Sequence, residues 1–410
     1  MHLARWEDAS IEGDRMQHRV PVAIVGAGPA GLLLGHILRA HGVDFVLVEH
    51  RSRDHVLSRI RAGVLEQASV DVLDRYGLAE RLHTDGLVHG GIHLQVEGRR
   101  THIDFEDLVG RTVTVYGQQR VVEDLMARHD ELGSAVFYGA SDVTPSGVDG
   151  DAPRLEFRHD GEDHVVQADF VIGTDGYHGV CRGLIPTEIL DVAERSYDAA
   201  WLGILADVAP STDELIYALH PDGFGMHSMR SPTVSRLYLQ VDPTDDIANW
   251  SDERIWAALQ ERLGTAGWTL TEGPITEKSI TPMRSSVAST LAYGRLFLAG
   301  DAGHIVPPTG AKGLNAAIAD VAMLGEALAA ANGGSDGLLA SYSRRALERQ
   351  WKIQYFSQWM TDMLHTPGAE TPEGERPFRY RSRVGQLAYV TGSRHAQQTL
   401  AEQYTGLAIE

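Results

Sequence analysis

Residues 20–49 constrain the fold of this chain more tightly than any other stretch. An apolar run from Val20 to Val25 leads into Gly26-Ala27-Gly28-Pro29-Ala30-Gly31, and then into an apolar helical stretch ending near His41. A second apolar run, Phe45 to Val48, ends in Glu49, 18 residues after the last glycine. Strand, glycine turn, helix, strand and acid in this order predict a βαβ dinucleotide-binding unit. The glycine triplet alone would be a weak signal; its place between a strand and a helix carries the reading. Gly26, Gly28 and Gly31 let the backbone approach a pyrophosphate, and Glu49 can accept hydrogen bonds from ribose hydroxyls.

Two more strand-turn segments carry ligand-facing chemistry. Asp169 to Arg182 reads as a buried strand, a glycine-rich turn containing Asp175-Gly176, and a helix start. Arg295 to Asn315 reads as a short strand (Leu296 to Ala299), a Gly300-Asp301 pair, a Pro307-Pro308 break, and a glycine-punctuated entry into an apolar helix near Leu314. A carboxylate at a strand end suits a polyol, and a helix N-terminus offers free N–H groups to an anion or an electron-rich ring edge. Three such segments, at 20–49, 169–182 and 295–315, fit one large cofactor stretched across a nucleotide domain, with a substrate domain inserted in sequence.

Between them, strand-like runs (Gly91 to Val96, Thr112 to Tyr116, Arg154 to Phe157, Val165 to Ala168) and a helix near Arg120 to Leu132 predict a continuation of the nucleotide domain with a small β insertion. Residues 190–285 read as an antiparallel sheet, and Ser341 to His365 as one long amphipathic helix. The expected fold is α/β with an inserted α+β sheet: a Rossmann-like domain, an interleaved antiparallel-sheet substrate domain and a helical C-terminal region. The expected divisions are a disordered extension at 1–19, nucleotide-domain parts at 20–89, 90–185 and 286–330, a substrate sheet at 186–285, helices at 331–410 and a loop at 367–377.

Bulk composition narrows the function. A net charge of −20 argues against nucleic-acid binding, and makes any arginine cluster in a pocket more informative. The single cysteine, Cys181, excludes an intrachain disulfide framework and a cysteine-based metal site; no metal is expected. No apolar run reaches the roughly 18 residues of a membrane span. Residues 1–19 are polar and lack the apolar core of a signal peptide, so a cytoplasmic enzyme is expected.

The three segments together resemble the FAD-dependent aromatic hydroxylases, the group A flavoprotein monooxygenases. The resemblance narrows to the 4-hydroxybenzoate-hydroxylating branch through Arg59-Ile-Arg61-Ala-Gly-Val-Leu-Glu-Gln67, Asp85-Gly-Leu-Val-His89, Thr114-Val-Tyr-Gly-Gln118 and the 300–315 segment. Glu214-Leu-Ile-Tyr217 and Ser251-Asp-Glu-Arg254 add weaker support, and the likeness spans Val20 to Tyr404. It implies FAD held by Gly26, Gly28, Gly31, Glu49, Arg61, Gln118, Asp175 and Asp301, with the amides of Lys312, Leu314 and Asn315 at the flavin pyrimidine. It implies a para-hydroxylated benzoate with its carboxylate on Ser228, Arg230 and Tyr238, and Arg236 beside the flavin. Tyr217 and Tyr404 would deprotonate the phenol through a relay to His89, with Pro308 at the substrate hydroxyl and Asn315 supporting Tyr404. O2 is the oxidant and NADPH or NADH the donor, the latter on Arg51, Arg59, His178 and Arg284. A homodimer is implied by the resemblance alone.

Six residues separate Arg230 from Arg236, so a continuous extended strand would carry both on one face. The segment after Glu49, His50-Arg-Ser-Arg-Asp-His55, departs from the branch's pattern and leaves the donor open, with NADPH ahead; Arg51 and Arg53 suit a 2′-phosphate. Met226, His227, Met229 and Leu237 also depart from it. Those positions keep another para-substituted benzoate, such as 4-aminobenzoate or 3,4-dihydroxybenzoate, as the alternative substrate. A flavin-binding sensor without turnover and a non-flavin NAD dehydrogenase are the competing classes; four ring-activating and carboxylate-holding residues (Tyr217, Ser228, Arg230, Tyr404) speak against the sensor.

Overall fold

The computed structural model describes residues 10–12, 15–58 and 63–409. Its first layer is a mixed sheet whose parallel core runs Leu296–Leu298, Glu162–Gly173, Arg15–Val25, Phe45–Glu49 and Val136–Tyr138. The strand Phe45–Glu49 is buried along its whole length, as expected of a parallel strand covered on both faces. Strand Glu162–Gly173 does double duty. Its first half pairs antiparallel with Arg154–His159, and its last residues pair parallel with Leu296–Leu298.

Two sequence expectations are corrected here. The first strand begins at Arg15, not Val20: residues 15–19 pair in register with 163–167, and Ser10–Glu12 folds back antiparallel on the same strand. Hydrogen bonding to a neighbouring strand orders this polar stretch, which its low hydrophobicity could not reveal. Second, the runs between 90 and 168 separate. Arg154–His159 and Glu162–Gly173 extend the nucleotide sheet, whereas Gly91–Val96 and Arg99–Asp104 join the substrate sheet, the former parallel to Ile216–Leu219. Val113–Val115 sits in a third sheet, between Val64–Glu66 and Leu87–His89.

The substrate sheet has eight strands, with Val192–Ala206 paired to both Ile275–Ala288 and Val234–Val241. Its alternation divides two cores. Ile216, Ala218, Leu237, Leu239, Leu202 and Ile204 pack toward the helix Asp252–Leu263, which Ser251 caps by accepting from the Arg254 N–H. Trp201, Tyr217, Met226 and Tyr238 pack toward Phe356, Met360, Met363 and Tyr404 of the C-terminal helices. Those helices are Gly337–Leu364, Arg376–Gly392 and Arg394–Thr405; Pro377 opens the second of them instead of ending a loop. Helix Gly313–Asn332 is the one described helix long and apolar enough to cross a membrane, yet 72% of that window is buried in the core.

Two imidazoles lock the helix Pro29–Ala40 to Gln118–Glu131. His36 Nε2 lies 2.9 Å from the Leu125 carbonyl and His129 Nε2 lies 2.9 Å from the Leu32 carbonyl, so each ring donates across the interface. The rings stack with centroids 3.6 Å apart. Burial, more than their mutual repulsion, pushes His36 down to about 3; burial holds His129 at about 4. Both folded values lie below the unfolded one, so the unfolded chain binds more protons and the contribution of these rings to stability is lost as pH falls below about 6.5. Between pH 7 and pH 5 each ring should remove about 2 kcal/mol of stability. His36→Gln keeps a donor for Leu125 but cannot titrate, so its melting temperature should fall less over that range than the parent's; equal slopes in thermal melts would refute this.

Candidate active site

The ends of the parallel strands bring the three predicted segments together. Gly26 N–H donates to Val48 O (2.8 Å), Thr174 N–H to Val25 O (2.8 Å) and Ala299 N–H to Gly173 O (3.0 Å), so the three turns share one edge of the sheet. This is the crevice where open α/β sheets bind ligands. The glycines have different tasks there. Gly31 has no room for a side chain, because a Cβ would lie 1.9 Å from Gly26 O. A Cβ on Gly28 would meet nothing within 4 Å, so space for a ligand opens at that position. Glu49 closes the cradle: its carboxylate accepts from Ala27 N–H (2.8 Å) and Arg51 N–H (2.7 Å) and is buried.

Asp175 bends back over its own turn and accepts from Cys181 N–H at 2.9 Å, while its other oxygen is buried with no hydrogen-bond partner among the described residues. Burial raises its pKa above the usual carboxylate range. Asp301 stands in the one-turn helix Gly300–Ala302 at the end of Leu296–Leu298. Asp320, which sequence reasoning missed, braces this turn: its Oδ2 accepts from Gly300 N–H (2.9 Å) and lies 2.6 Å from His304 Nε2, all of it buried. Its signal was a carboxylate flanked on both sides by apolar residues, Ile318-Ala319 and Val321-Ala322.

Several predicted residues land differently. Gln118 opens the helix Gln118–Glu131 and is half-buried. Arg59 and Arg61 lie outside the described residues. The Lys312 ammonium holds the C-terminal segment, donating to Glu66 Oε1 (2.5 Å), Gln403 O (2.6 Å) and Tyr404 O (3.0 Å). Burial lowers its pKa, against the opposing pull of Glu66. Asn315 does not reach Tyr404. Its side chain is spent on Glu66 N–H (2.9 Å), Val64 O (2.8 Å) and Ala311 O (2.9 Å). Glu66, Arg111 and Arg349 were also missed, and the two arginines grip the carbonyls of Gly406, Leu407 and Ala408. Leu314 is buried at the start of the helix Gly313–Asn332, and Pro308 is exposed in the turn before it.

On the substrate sheet, register places Tyr217, Met226, Tyr238 and Gly203 in one transverse row, with Ser228 opposite Arg236. Arg230 and Arg236 flank the turn of a hairpin formed by Gly225–Ser231 and Val234–Val241, so no continuous strand carries both on one face. Ser228 Oγ donates to Arg236 O (2.9 Å). Arg230 approaches Tyr238, and its Nε and Nη2 are buried with no hydrogen-bond partner among the described residues. Burial lowers its pKa. The Arg236 guanidinium lies 5.2 Å over the Tyr238 ring and 3.8 Å from Glu277. Gly203 makes room for it, since a Cβ there would lie 2.9 Å from Arg236 Nη2. Met226 faces this row, whereas His227 and Leu237 turn to the other side, His227 toward Ser211 and Leu237 toward the helix Asp252–Leu263.

At the far end of the row the Tyr217 and Tyr404 hydroxyls are 2.6 Å apart, both rings fully buried. Burial raises both pKa values. Phe105 and Phe356 wall in Tyr404. His89 is buried with both ring nitrogens unpartnered among the described residues, and burial holds it at about 4. Arg284 and Arg182 lie 3.9 and 4.4 Å over the Tyr177 ring, with His178 exposed beside it. Arg51 is exposed near Glu49, while Arg53 is held by Asp130 through two hydrogen bonds of 2.6 and 3.0 Å.

The FAD binding domain family matches residues 19–357. The chain is 46% identical over 395 residues to p-hydroxybenzoate hydroxylase of Acinetobacter baylyi, with 96% of each chain covered. It is 27% identical over 397 residues to 3-amino-4-hydroxybenzoate 2-monooxygenase of Streptomyces cremeus, covering 91% of this chain and 95% of that one. Among solved structures, p-nitrophenol 4-monooxygenase PnpA from Pseudomonas putida superposes with a TM-score of 0.79 at 19% identity, covering 95% of this chain and 99% of that one. At that identity the likeness speaks for the fold.

Proposed function

Because this chain belongs to the FAD-dependent aromatic hydroxylases, we propose that it converts 4-hydroxybenzoate to 3,4-dihydroxybenzoate with O2 and a reduced nicotinamide. One observation carries the reading: Arg230, whose buried Nε and Nη2 have no hydrogen-bond partner among the described residues, approaches Tyr238, which shares one aromatic cluster with the buried hydroxyl pair of Tyr217 and Tyr404. A cation and a proton-accepting hydroxyl suit the two ends of a para-hydroxylated benzoate.

FAD is the cofactor, and the residues fit it: an open cradle at Gly28, a buried acid at Glu49 and a carboxylate at the strand end, Asp301. Glu49 would take the adenosine ribose, Gln118 and Arg61 the phosphates and ribityl chain, Asp301 the ribityl hydroxyls. Gly26 and Gly31 shape the turn around the pyrophosphate and Asp175 orders the second turn beside it. The amides of Lys312, Leu314 and Asn315, at the positive end of a 20-residue helix, would stand at the pyrimidine edge. When reduced, the flavin supplies activated oxygen to the ring. In Gly28→Ala the new Cβ meets no protein atom within 4 Å, so the apoprotein should keep its melting temperature while its FAD affinity falls about tenfold or more. Unchanged flavin affinity by fluorescence titration would refute the cradle.

The chain's own groups handle the substrate. Ser228, Arg230 and Tyr238 hold its carboxylate, and Pro308 meets its hydroxyl. A phenol with a pKa near about 10 must lose its proton to become nucleophilic at neutral pH. Tyr217 takes that proton as it passes its own to Tyr404, and Tyr404 passes one toward His89 through the buried space around the imidazole. Because burial disfavours both tyrosinates, negative charge stays on the substrate. Arg236, near both Tyr238 and Arg230, adds positive potential there. Asn315 contributes by pinning the strand Val64–Glu66 beside the helix start.

The donor nucleotide suits the exposed surface of Tyr177, His178 and Arg284, with Arg51 and Arg59 near its ribose; Arg51 keeps NADPH ahead of NADH. We also place the enzyme in the cytoplasm, as a homodimer. Met226 sits in the substrate row and its flexible thioether can adapt, which favours another para-substituted benzoate as the second reading. Measuring substrate-stimulated oxidation of NADPH and NADH across a benzoate panel, with product identification, separates the two. Absence of 3,4-dihydroxybenzoate from 4-hydroxybenzoate would end the first.

A further inference from the structure

We propose that Glu214 and His102 form the exit through which the proton taken from the substrate leaves the protein. The inference rests on the relay reading above and extends it beyond His89. His89 is 1% exposed, so a proton that reaches it is not yet in solvent. Its ring nitrogens have no protein partner among the described residues, which is the setting that ordered water fills in a polar buried space.

The next polar groups along the chain come together around Gly90 and Gly91. Gly91 N–H donates to Glu214 Oε1 at 2.8 Å, and Glu214 Oε2 lies 2.7 Å from His102 Nε2. Gly91 leaves room for this pair, since a Cβ there would lie 2.5 Å from His102 Nε2, while Gly90 stands beside Glu214 and Glu106 at ordinary contact distance. Glu214 is mostly buried, its side chain 17% exposed, whereas that of His102 is 41% exposed. The pair therefore spans from the buried side of the strand to water. Glu214 also acts on His89 through space, favouring its protonated form, as does Asp213.

Each transfer is a simple exchange. The proton arriving at His89 binds one ring nitrogen and the other nitrogen releases one; water or Glu214 takes it, and His102 delivers it to bulk solvent. His89, which burial holds at about 4, passes the proton on instead of storing it at neutral pH. The groups facing the exit are Glu106 from the helix Phe105–Val109, Asp213 beside Glu214, and His93 with its ring 5.0 Å from that of His102. Arg100 acts on both His93 and His227, and His227, on the same face of the sheet as His93 and His102, also interacts with His89. The alternative task for the pair is to staple Gly91–Val96 and Arg99–Asp104 to the segment before Tyr217.

The test follows binding of 4-hydroxybenzoate to the FAD-loaded enzyme by stopped flow, recording phenolate absorbance and proton release to an indicator dye. In His102→Gln and Glu214→Gln the rate of proton release should fall about a hundredfold, the lower end for a positioned proton-transfer group. Added imidazole should restore the rate in His102→Gln, and the substrate's dissociation constant should not change. A purely structural staple would instead weaken binding or lower the melting temperature and would not respond to imidazole. Unchanged proton-release rates in both variants would overturn the exit. If Tyr217→Phe also releases the proton at the parental rate, the relay itself has failed; if it does not, the exit alone has.

Discussion

Replacing Arg230 with alanine is expected to raise the KM for 4-hydroxybenzoate by about two to three powers of ten while kcat changes little. The guanidinium is buried, and its Nε and Nη2 have no hydrogen-bond partner among the described residues. A cation held that way is destabilising until a ligand answers it. The substrate carboxylate supplies charge-assisted hydrogen bonds in a site with little water to screen them. The same bonds exist before and during hydroxylation, which happens at the other end of the ring, so the loss falls on binding. The ligand-free variant should melt no lower than the parent, because the substitution removes an unanswered buried charge. A neutral analogue, 4-hydroxybenzaldehyde, should bind parent and variant with similar affinity. A KM for 4-hydroxybenzoate that stays near the parental value would remove Arg230 from the carboxylate site. Arg230→Lys should recover only part of the loss, since an ammonium cannot form the paired bonds of a guanidinium.

What was legible in the sequence follows from how local each feature is. The strand, glycine turn and helix of residues 20–41 are contiguous, and their periodicity and glycine spacing reported them directly. The hydroxyl pair of Tyr217 and Tyr404 joins residues 187 apart, and the Lys312–Glu66 pair joins residues 246 apart. No periodicity encodes such a meeting; only the family resemblance pointed to the first, and nothing pointed to the second. Register was equally hidden. Alternation says that Gly91–Val96 is a strand but not that its neighbour is Ile216–Leu219, so it was assigned to the wrong domain. The break between Arg230 and Arg236 is visible as Ser231-Pro232, whereas the register in which the two strands pair across it is not. Lys312 and Asn315 show the remaining gap. Both stand at the start of the helix Gly313–Asn332, but their side chains are committed to the Val64–Glu66 strand and the C-terminal helix, which leaves only their backbone amides for a ligand. Side-chain direction depends on what packs behind the residue, which a linear motif does not state.

Replacing Tyr217 with phenylalanine should lower the hydroxylation rate by about 10² to 10⁴, the range for loss of a positioned proton-transfer group. FAD and substrate should both remain bound, because the ring still packs against Phe224 and Tyr404 and only one oxygen is lost. The absorbance of bound 4-hydroxybenzoate should then stay that of the neutral phenol at pH 7. As pH rises toward the phenol's own pKa near about 10, activity should recover, since ionisation in solution replaces the missing relay. That rising limb separates a proton-transfer defect from a misplaced substrate, which would be slow at every pH. The substitution also leaves the Tyr404 hydroxyl buried without its partner, which costs about 1–3 kcal/mol of stability, so melting must be measured beside the rate. Tyr404→Phe interrupts the same chain one step later. It should show the same recovery at high pH, with Tyr217 still able to hydrogen-bond the substrate and bind it more tightly than Tyr217→Phe does. If Tyr217→Phe hydroxylates at the parental rate and with the parental pH profile, the proton leaves the substrate by another way, and the buried tyrosine pair is a packing feature.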